Sequence, residues 1–390
     1  MIRAVITEYN GSRILALKES DSSAFLSFKL YTGRNREGYI YNGRVDKRIS
    51  NIDACFVRLS KEEYGYLDTS GIRPETTIPV MIKKEGKGEK KASLSTELSV
   101  SGRYCVLICN RKGAKAFYSH KLSLKKRKEL SKSLSESGYE FRYSLIFRTN
   151  SGQVPFSDVY DEIAALVKDM DQVVNYNDKR TDYSILYRPA DELIRDLYDI
   201  GLNELDEIIT DLKDAYELVK EGYIKDLPQQ FKEKIRLTLY EDELLPLKSL
   251  VGLETGLSRA VDKKVWLKSG SYLVIEQTEA LVAIDVNSGK NEAKGIKAET
   301  VYRINREAAV EAARQLRLRN LSGIVIIDFI NMKKKEHEEG LMELLREEIA
   351  KDSVRTELID MTKLGLAELT RKREGLTLRE MLYDADPCSR

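Results

Sequence analysis

Histidine is nearly absent from this chain of 390 residues, which contains only His120 and His337. Both lie in charged segments, so an acid–base mechanism that depends on two histidines is not expected. The sequence also contains no Walker loop, no glycine-rich dinucleotide fingerprint and no recognisable pair of nucleophile and base. Several common classes of enzyme are therefore not indicated.

Cysteines are few and long apolar runs are absent. Four cysteines do not make a disulfide framework in a chain of this length. Cys105 and Cys109 are four positions apart in one apolar run, and we expect both to be buried thiols on the same face of a strand. The N-terminus lacks the pattern of a secretion signal, and no apolar run is long enough to span a membrane. These features predict a soluble protein of the reducing cytoplasm.

Positive and negative charges nearly cancel, because 65 lysines and arginines face 63 aspartates and glutamates. The net charge of +2 therefore says little about partners. Two segments, residues 83–91 and 111–132, are nevertheless dense in basic residues. Such stripes follow a phosphate backbone in some proteins and form solvated lysine-rich faces in others, and composition leaves both interpretations open.

The pattern of apolar residues changes along the chain, and the length predicts two to four domains. Residues 1–145 show mostly short β-prone runs separated by Gly, Asn or Asp, which is typical of a small barrel or an OB-fold. From residue 265 onward, predicted strands and helices alternate.

The middle of the chain, residues 155–260, is predicted to be helical. A helix over 159–174 is indicated by apolar residues at three- and four-residue spacing, with Ser157 as its N-cap. The helical pattern continues with Leu205, Ile208 and Ile209.

Two apolar runs each carry an aspartate where a core strand would carry an aliphatic residue, namely Asp285 and Asp328. A buried carboxylate is costly unless a cation or hydrogen-bond donors compensate it. One such aspartate is readily explained as a structural turn anchor, but two at strand ends suit a hard cation such as Mg²⁺. The pair therefore indicates metal-assisted phosphodiester chemistry.

A single predicted helix, over residues 302–320, separates the two aspartate-bearing strands. Such a crossover makes the strands parallel and places their C-terminal ends at one edge of the sheet, where open α/β sheets bind ligands. We therefore expect Asp285 and Asp328 to lie close together. Asn287 would lie on the same face as Asp285, where its amide would orient a water molecule or donate to a phosphate oxygen.

Two arginines near the end of this helix, Arg314 and Arg317, are three positions apart and share a face. They would contact RNA phosphates or balance the helix dipole. Their spacing alone does not choose between these roles.

Several motifs, in this order, resemble the ribonuclease E/G family of bacterial endoribonucleases. The string TEALVAIDVNSG at 278–289 resembles its catalytic signature, and RQLRLR at 314–319 followed by GIVIIDFI at 323–330 resembles its second signature. Three weaker matches are also present. Gly38 to Val45 resembles the start of the family's OB-fold, and Phe147-Arg148-Thr149 with Gly152 resembles its 5′-end sensor. Leu364-Gly365 with Leu369 to Arg373 resembles the end of its catalytic domain. The resemblance covers nearly the whole chain.

The resemblance implies a multidomain α/β and α+β protein. An OB-fold barrel would be inserted in a split RNase H-like domain, and a DNase I-like α/β catalytic domain would follow. The implied ranges are RNase H-like parts at 1–32 and 195–260, the OB-fold at 33–110, the sensor region at 111–194, the catalytic domain at 261–385, and a tail at 386–390.

The activity that the resemblance implies is Mg²⁺-dependent endonucleolytic hydrolysis of single-stranded, A/U-rich RNA in RNA processing, including rRNA, and in mRNA decay. Substrates with a 5′-monophosphate would be preferred, and Mn²⁺ is a candidate substitute for Mg²⁺. The alternative is a non-catalytic RNA-binding factor with the same fold. The identity of the RNAs and the number of metal ions do not follow from the sequence.

The resemblance also assigns residues to roles. Asp285 and Asp328 would hold the metal ion, and Asn287 would support Asp285 or the scissile phosphate. Arg148 and Thr149 would bind the 5′-monophosphate. Phe56 and Tyr66 would stack on bases. The alternative is that they are core residues, as aromatics in small barrels more often are.

The sequence departs from the family pattern in several places, including the following two. The family pairs cysteines in a zinc link between protomers, whereas here Cys388 stands alone, and one thiolate per chain cannot close a tetrahedral zinc site. We therefore expect no zinc-linked assembly, and a monomer or a weaker homodimer stays open. The stretch 58–64 in the OB-fold departs from the usual short turn, which would alter RNA contact there.

Overall fold

The structure, a computed structural model, describes residues 1–384 except 21, 23, 32, 34, 50–52, 69–70, 87–89, 110–112, 176–178, 290–296 and 363. The described chain is a mixed α/β protein with four β-sheets. It divides into two compact units. The first unit comprises Met1–Thr32, Glu204–Lys220 and Lys232–Arg390, and the second comprises Gly33–Asn203 and Glu221–Phe231. No described helix combines the length and apolar character needed to cross a membrane.

Strands and helices are numbered separately in chain order. The strands are β1 (Ile2–Tyr9), β2 (Ser12–Glu19), β3 (Phe25–Tyr31), β4 (Ile40–Ile49), β5 (Ala54–Arg58), β6 (Tyr64–Leu67), β7 (Thr77–Lys84), β8 (Ala92–Ser95), β9 (Leu98–Ser101), β10 (Cys105–Cys109), β11 (Ala116–Tyr118), β12 (Ser144–Phe147), β13 (Ile185–Tyr187), β14 (Leu205–Thr210), β15 (Arg236–Leu239), β16 (Lys264–Trp266), β17 (Tyr272–Gln277), β18 (Leu281–Asn287), β19 (Gly323–Asp328), β20 (Thr356–Met361) and β21 (Leu366–Arg371). The helices are α1 (Leu124–Glu136), α2 (Phe156–Asn175), α3 (Glu192–Tyr198), α4 (Lys213–Val219), α5 (Gln229–Lys234), α6 (Leu247–Leu250), α7 (Leu253–Val261), α8 (Ala298–Leu318), α9 (Lys335–Ala350) and α10 (Leu378–Asp384).

The first unit contains a five-stranded sheet in the order β15-β14-β1-β2-β3, in which β14 runs parallel to both of its neighbours. The prediction that Leu205, Ile208 and Ile209 are helical was wrong, because all three lie on β14. A central strand is buried on both faces, so its apolar residues form a near-continuous run that periodicity does not distinguish from a buried helix.

The second unit contains a closed five-stranded barrel, consistent with an OB-fold. Strands β4, β5, β6, β8 and β7 follow one another around it, and β7 pairs back with β4 to close it. Buried side chains from alternate positions fill the interior, including Val45, Val57, Val80 and Ile82. The barrel predicted from the short N-terminal strands is thus confirmed.

The second unit also contains a four-stranded sheet in the order β11-β12-β10-β9. Cys105, on β10, is fully buried, and burial raises the pKa of its thiol, whereas Cys109 is only half-buried. The prediction that both cysteines are buried thiols is therefore confirmed for Cys105 alone. Ser157 is not an N-cap, since α2 already begins at Phe156, directly after Pro155, whose ring fixes φ near the helical value.

The C-terminal part of the first unit is a six-stranded sheet in the order β16-β17-β18-β19-β21-β20. Helix α8 connects the parallel neighbours β18 and β19, and α8 and α9 pack on one face of the sheet. Apolar residues from alternate positions of the strands meet these helices, including Val282, Ile284, Val325 and Ile327. The intervening residues of β18 and β19 are mostly exposed on the other face, which we call the open face.

Candidate active site

Asp285 and Asp328 lie opposite each other on the adjacent parallel strands β18 and β19. They are paired in register, Asp285 with Asp328, and Asp328 is the last residue of its strand. Neighbouring strands are separated by about 4.8 Å, so paired residues on one face are immediate neighbours. The prediction that one crossover helix would bring the two carboxylates together is confirmed.

The two carboxylates are exposed, which corrects the expectation that they are buried among apolar residues. Along β18 the residues alternate, so that Ile284 and Val286 are buried while Asp285 between them is exposed. Asp328 is also exposed. Helices cover only the face that carries the apolar side chains, and a one-sided sheet places alternate residues in solvent. No desolvation cost therefore has to be offset at this site.

Asn287 lies on the same face as Asp285 and contacts it directly. Its Nδ2 donates a hydrogen bond to Asp285 Oδ2 at 2.5 Å. Among the described residues, no lysine, arginine or histidine forms an ion pair with Asp285 or Asp328. Like charges directly opposite each other on one sheet face are destabilising, and a bound cation would relieve that repulsion.

The donor set at this site suits a hard cation that shares its ligands with a substrate. Groups of three or more His, Cys, Asp or Glu side chains able to hold a metal ion do not occur among the described residues. Zinc and calcium sites need more protein ligands than two carboxylates. Mg²⁺, by contrast, is commonly held by one or two carboxylates, with water and substrate phosphates completing its coordination. The residues present therefore fit Mg²⁺.

Arg314 and Arg317 do not join the aspartates, because they lie on α8, on the covered side of the sheet. Arg314 forms an ion pair with Glu311 at 2.6 Å and donates to the carbonyl oxygen of Phe25 at 2.7 Å. Arg317 donates to the carbonyl oxygen of Glu348 at 2.9 Å, and burial lowers the pKa of its guanidinium. These contacts favour a structural role, and RNA contact by either arginine stays a prediction.

Arg148 and Thr149 lie together where β12 ends, at the start of a short 3-10 turn (Thr149–Gly152). The Arg148 guanidinium forms an ion pair with the exposed carboxylate of Asp199 and donates to the carbonyl oxygen of Gly102 at 3.2 Å. Thr149 Oγ1 lies 3.0 Å from the hydroxyl of Ser119. The guanidinium is thus oriented by two groups, one of which is an anion at the surface.

Phe56 and Tyr66 are neighbours on the outside of the barrel. They are paired in register on β5 and β6, and their ring centroids are 6.4 Å apart in an edge-to-face arrangement. Both are half-buried, whereas the adjacent Cys55 and Leu67 point into the barrel core. The alternative that these aromatics are core residues is not supported by this alternation.

The open face carries a further group that the sequence analysis missed. Trp266 and Tyr272 lie on β16 and β17 with Lys264 beside them, and Tyr272 is paired in register with Asn287. The alternation Lys264-Val265-Trp266, with Val265 packed on the core, was the available signal. The position of this group beside the paired aspartates depends on the order of the strands, which a local sequence pattern does not contain.

Comparisons with known proteins identify the family of this chain. The model of the Ribonuclease E/G family matches residues 99–374, and the chain therefore belongs to this family. Ribonuclease E of Synechocystis sp. is 30% identical over 374 residues, which cover 92% of this chain and 55% of the relative. Ribonuclease G of Escherichia coli is 29% identical over 374 residues, covering 90% and 75% of the two chains.

The chain spans about half the length of its ribonuclease E relatives from Synechocystis and Nostoc, 55% and 54% respectively. What these longer proteins do as a whole is therefore carried to this chain only as a proposal.

Proposed function

We propose that this chain is a Mg²⁺-dependent endoribonuclease that hydrolyses single-stranded RNA in RNA processing and decay. The observation that carries the proposal is the in-register pairing of Asp285 with Asp328 on an open sheet face, with Asn287 bonded to Asp285. The relatives are named ribonucleases, which supports RNA as the substrate. The proposed location is the cytoplasm, and no assembly is assigned.

The proposed roles of the three residues follow from their chemistry. Asp285 and Asp328 would hold Mg²⁺, and Mn²⁺ is accepted by the same oxygen ligands. When bound, the ion would supply an activated water and stabilise charge on the scissile phosphate. Asn287 would hold the Asp285 carboxylate in one orientation through its amide N–H, which leaves the other carboxylate oxygen available to the metal ion. The open face leaves an extended RNA strand free to lie across the sheet.

A preference for a 5′-monophosphate is proposed for Arg148 and Thr149. Arg148 already presents a guanidinium held by Gly102 O, and its partner Asp199 is exposed, so their ion pair is of the weakly stabilising surface kind. A terminal phosphate carries more charge than a carboxylate and accepts two parallel hydrogen bonds from a guanidinium. It would therefore compete effectively with Asp199 for Arg148.

Base contact is proposed for Phe56 and Tyr66. Their rings are paired on the outside of the barrel, where an unpaired base could reach them. Stacking of this kind is worth about 1–3 kcal/mol per base and tolerates different bases, which suits an RNA-binding surface of low sequence specificity. An A/U-rich preference would then reflect the absence of stable base pairing.

The proposed domain arrangement places an RNase H-like fold at 1–32 with 195–260. In its support, both segments contribute strands to one sheet, β1 to β3 from the first and β14 with β15 from the second. The OB-fold is proposed at 33–110, the sensor region at 111–194, and the DNase I-like catalytic domain at 261–385. The tail with Cys388 lies outside the described residues, and no zinc site is proposed.

The proposal is tested by cleavage of an A/U-rich single-stranded RNA that carries a 5′-monophosphate and an end label. Wild-type protein with Mg²⁺ should produce internal cuts, EDTA should abolish them, and Asp285→Asn should bind the RNA without cutting it. RNA that both proteins bind and leave intact, in Mg²⁺ and in Mn²⁺, would replace the proposal with a non-catalytic RNA-binding factor.

A further inference from the structure

We propose that Trp266, with Tyr272 and Lys264, forms a subsite that stacks one unpaired base of the RNA beside the paired aspartates. The inference rests on the proposed ribonuclease function and adds a residue that determines how the strand is positioned. It assigns a role to the largest exposed aromatic group on the open face, which the proposed chemistry at Asp285 and Asp328 does not use.

The three side chains form a compact cluster on the edge strand and its neighbour. The rings of Trp266 and Tyr272 have their centroids 5.2 Å apart at an angle of 60°. Lys264 Nζ lies 4.1 Å from the centroid of the Trp266 ring and 3.5 Å from that of Tyr272. Trp266 is nevertheless 65% exposed. The cluster therefore fixes the orientation of an indole ring and leaves much of its surface available.

The strand register places this cluster next to the aspartates. One row across the open face runs through Lys264, Val274, Asp285 and Asp328, each paired with the next. The adjacent row runs through Trp266, Tyr272 and Asn287. Trp266 is thus two strand spacings from Asn287, or about 10 Å. An RNA strand with its phosphate at the aspartates would pass over the indole within a few nucleotides.

The chemistry of the cluster suits a nucleotide. A base stacks on an indole face without regard to its identity, and the Lys264 ammonium offers charge to the phosphate that joins that base to the strand. A protein partner is less well matched, because lysine is depleted in the centre of protein interfaces, whereas Lys264 lies directly against the Trp266 ring and polar Asn287 lies in the same row. The occupant that fits is therefore an unpaired base.

Trp266 is the single tryptophan of the chain, so intrinsic tryptophan fluorescence reports on this position alone. The titration uses the full chain with Asp285→Asn, so that RNA is bound without being cut. An A/U-rich single-stranded RNA should quench the fluorescence in a saturable manner, and the same sequence as a duplex should not, because its bases are already stacked. Abasic substitutions placed one at a time should identify a position at which quenching is lost.

Variants of otherwise wild-type protein test whether the contact contributes to cleavage. Trp266→Ala should raise the KM for single-stranded RNA about 10-fold or more with a smaller change in kcat, and Trp266→Phe should recover most of the loss, because a stacking surface remains. The matched control is Ile359→Ala on β20, the opposite edge strand of the same sheet, where Ile359 is 55% exposed. That variant should behave as wild type.

The outcomes separate the inference from the proposed function. Wild-type cleavage combined with unchanged kinetics in Trp266→Ala, or with no quenching, overturns the inference and leaves the ribonuclease proposal standing. Failure of wild-type protein to cut or bind any RNA overturns both. A fall in molar mass for Trp266→Ala by light scattering, without a change in RNA affinity, overturns the inference in favour of contact between two copies of the chain.

Discussion

The two faces of the six-stranded sheet are built from the same strands but carry different kinds of residue. On β18 and β19 the covered face presents buried Ile284 and Ile327, whereas the open face presents exposed Asp285 and Asp328. Residues that stabilise the fold and residues proposed for chemistry are therefore immediate neighbours in sequence but are separated by the thickness of the sheet. This arrangement predicts that stability and activity can be changed independently.

The helices explain why the two faces differ. Helix α8 presents a stripe of small and apolar residues to the sheet, including Ile304, Ala308, Ala312 and Leu316, and α9 continues the cover. Small side chains let a helix lie close to the strands, so the covered face is filled and dry. Among the described residues, no helix packs on the open face of β18 and β19, which keeps its carboxylates hydrated.

The largest expected effect comes from removing one open-face charge. Asp328→Asn should reduce RNA cleavage in Mg²⁺ by about 1,000-fold or more, because the amide cannot replace a carboxylate as a cation ligand. The free energy of unfolding should change by less than about 0.5 kcal/mol, since Asp328 is exposed and faces a like charge. Single-turnover cleavage and urea unfolding measure the two quantities. A urea midpoint of Asp328→Asn well below that of wild type would contradict the proposal that stability and activity depend on different faces of the sheet.

The largest expected change in stability comes from the covered side. Arg371 and Asp352 form an ion pair at 2.8 Å with side chains only 3% and 4% exposed. Arg371→Met should lower the free energy of unfolding by about 3–5 kcal/mol, because it leaves the Asp352 carboxylate buried without its guanidinium. Lys372→Met, at the exposed neighbouring position, is the control and should have little effect. Equal urea midpoints for both variants would contradict this assignment.

A smaller loss of stability is expected at Ile284, which lies next to Asp285 in sequence but on the covered face. Ile284→Ala should lower the free energy of unfolding by about 2–5 kcal/mol through loss of apolar burial and formation of a cavity. Cleavage per folded molecule, assayed well below the melting temperature, should remain near wild type. Loss of activity in a fully folded Ile284→Ala protein would show that the faces are coupled.

The smallest expected effect is at Arg148, which lies away from the six-stranded sheet and is proposed to select the 5′ end of the RNA. Arg148→Lys keeps the charge but loses the two parallel hydrogen bonds of a guanidinium. The preference for 5′-monophosphorylated over 5′-hydroxyl RNA should fall about 10-fold, while cleavage of 5′-hydroxyl RNA stays unchanged. The ratio of the two rates measures it, and Arg142→Lys, at an exposed arginine bound to Asp171, serves as the control. An equal loss on both substrates would remove Arg148 from a role in selecting the 5′ end.

Sequence reasoning predicted the arrangement of the aspartates because it depends on chain geometry. A single crossover helix between two strands requires them to be parallel, and the position of each aspartate at a strand end then sets the pairing of Asp285 with Asp328. The same reasoning did not find β21, which lies between β19 and β20 and pairs antiparallel to both. Strand order within a sheet depends on contacts between distant segments, which a local pattern does not contain.

Exposure was the property that the sequence predicted least well. An aspartate in an apolar run is buried only if both faces of its strand are covered. The sequence of the strand does not show whether helices cover one face of the sheet or both. The same limit applies to Arg314 and Arg317. Their spacing shows that they share a face of α8, but it does not show that this face packs against other parts of the chain. Trp266 was not predicted because its proposed role depends on its neighbour Tyr272 in the sheet, and on Asn287 one strand further along the same row.

A change of metal specificity at Asp285 tests most sharply whether the paired aspartates hold the catalytic ion. Asp285→Cys should cleave RNA poorly in Mg²⁺, because a thiolate is a soft ligand, and addition of a thiophilic ion such as Cd²⁺ should restore cleavage. Asp285→Ser, which lacks the thiolate, should not be restored. Cleavage by Asp285→Cys in Mg²⁺ at the wild-type rate would contradict the proposed metal site, because the carboxylate could then not be a ligand of the catalytic ion.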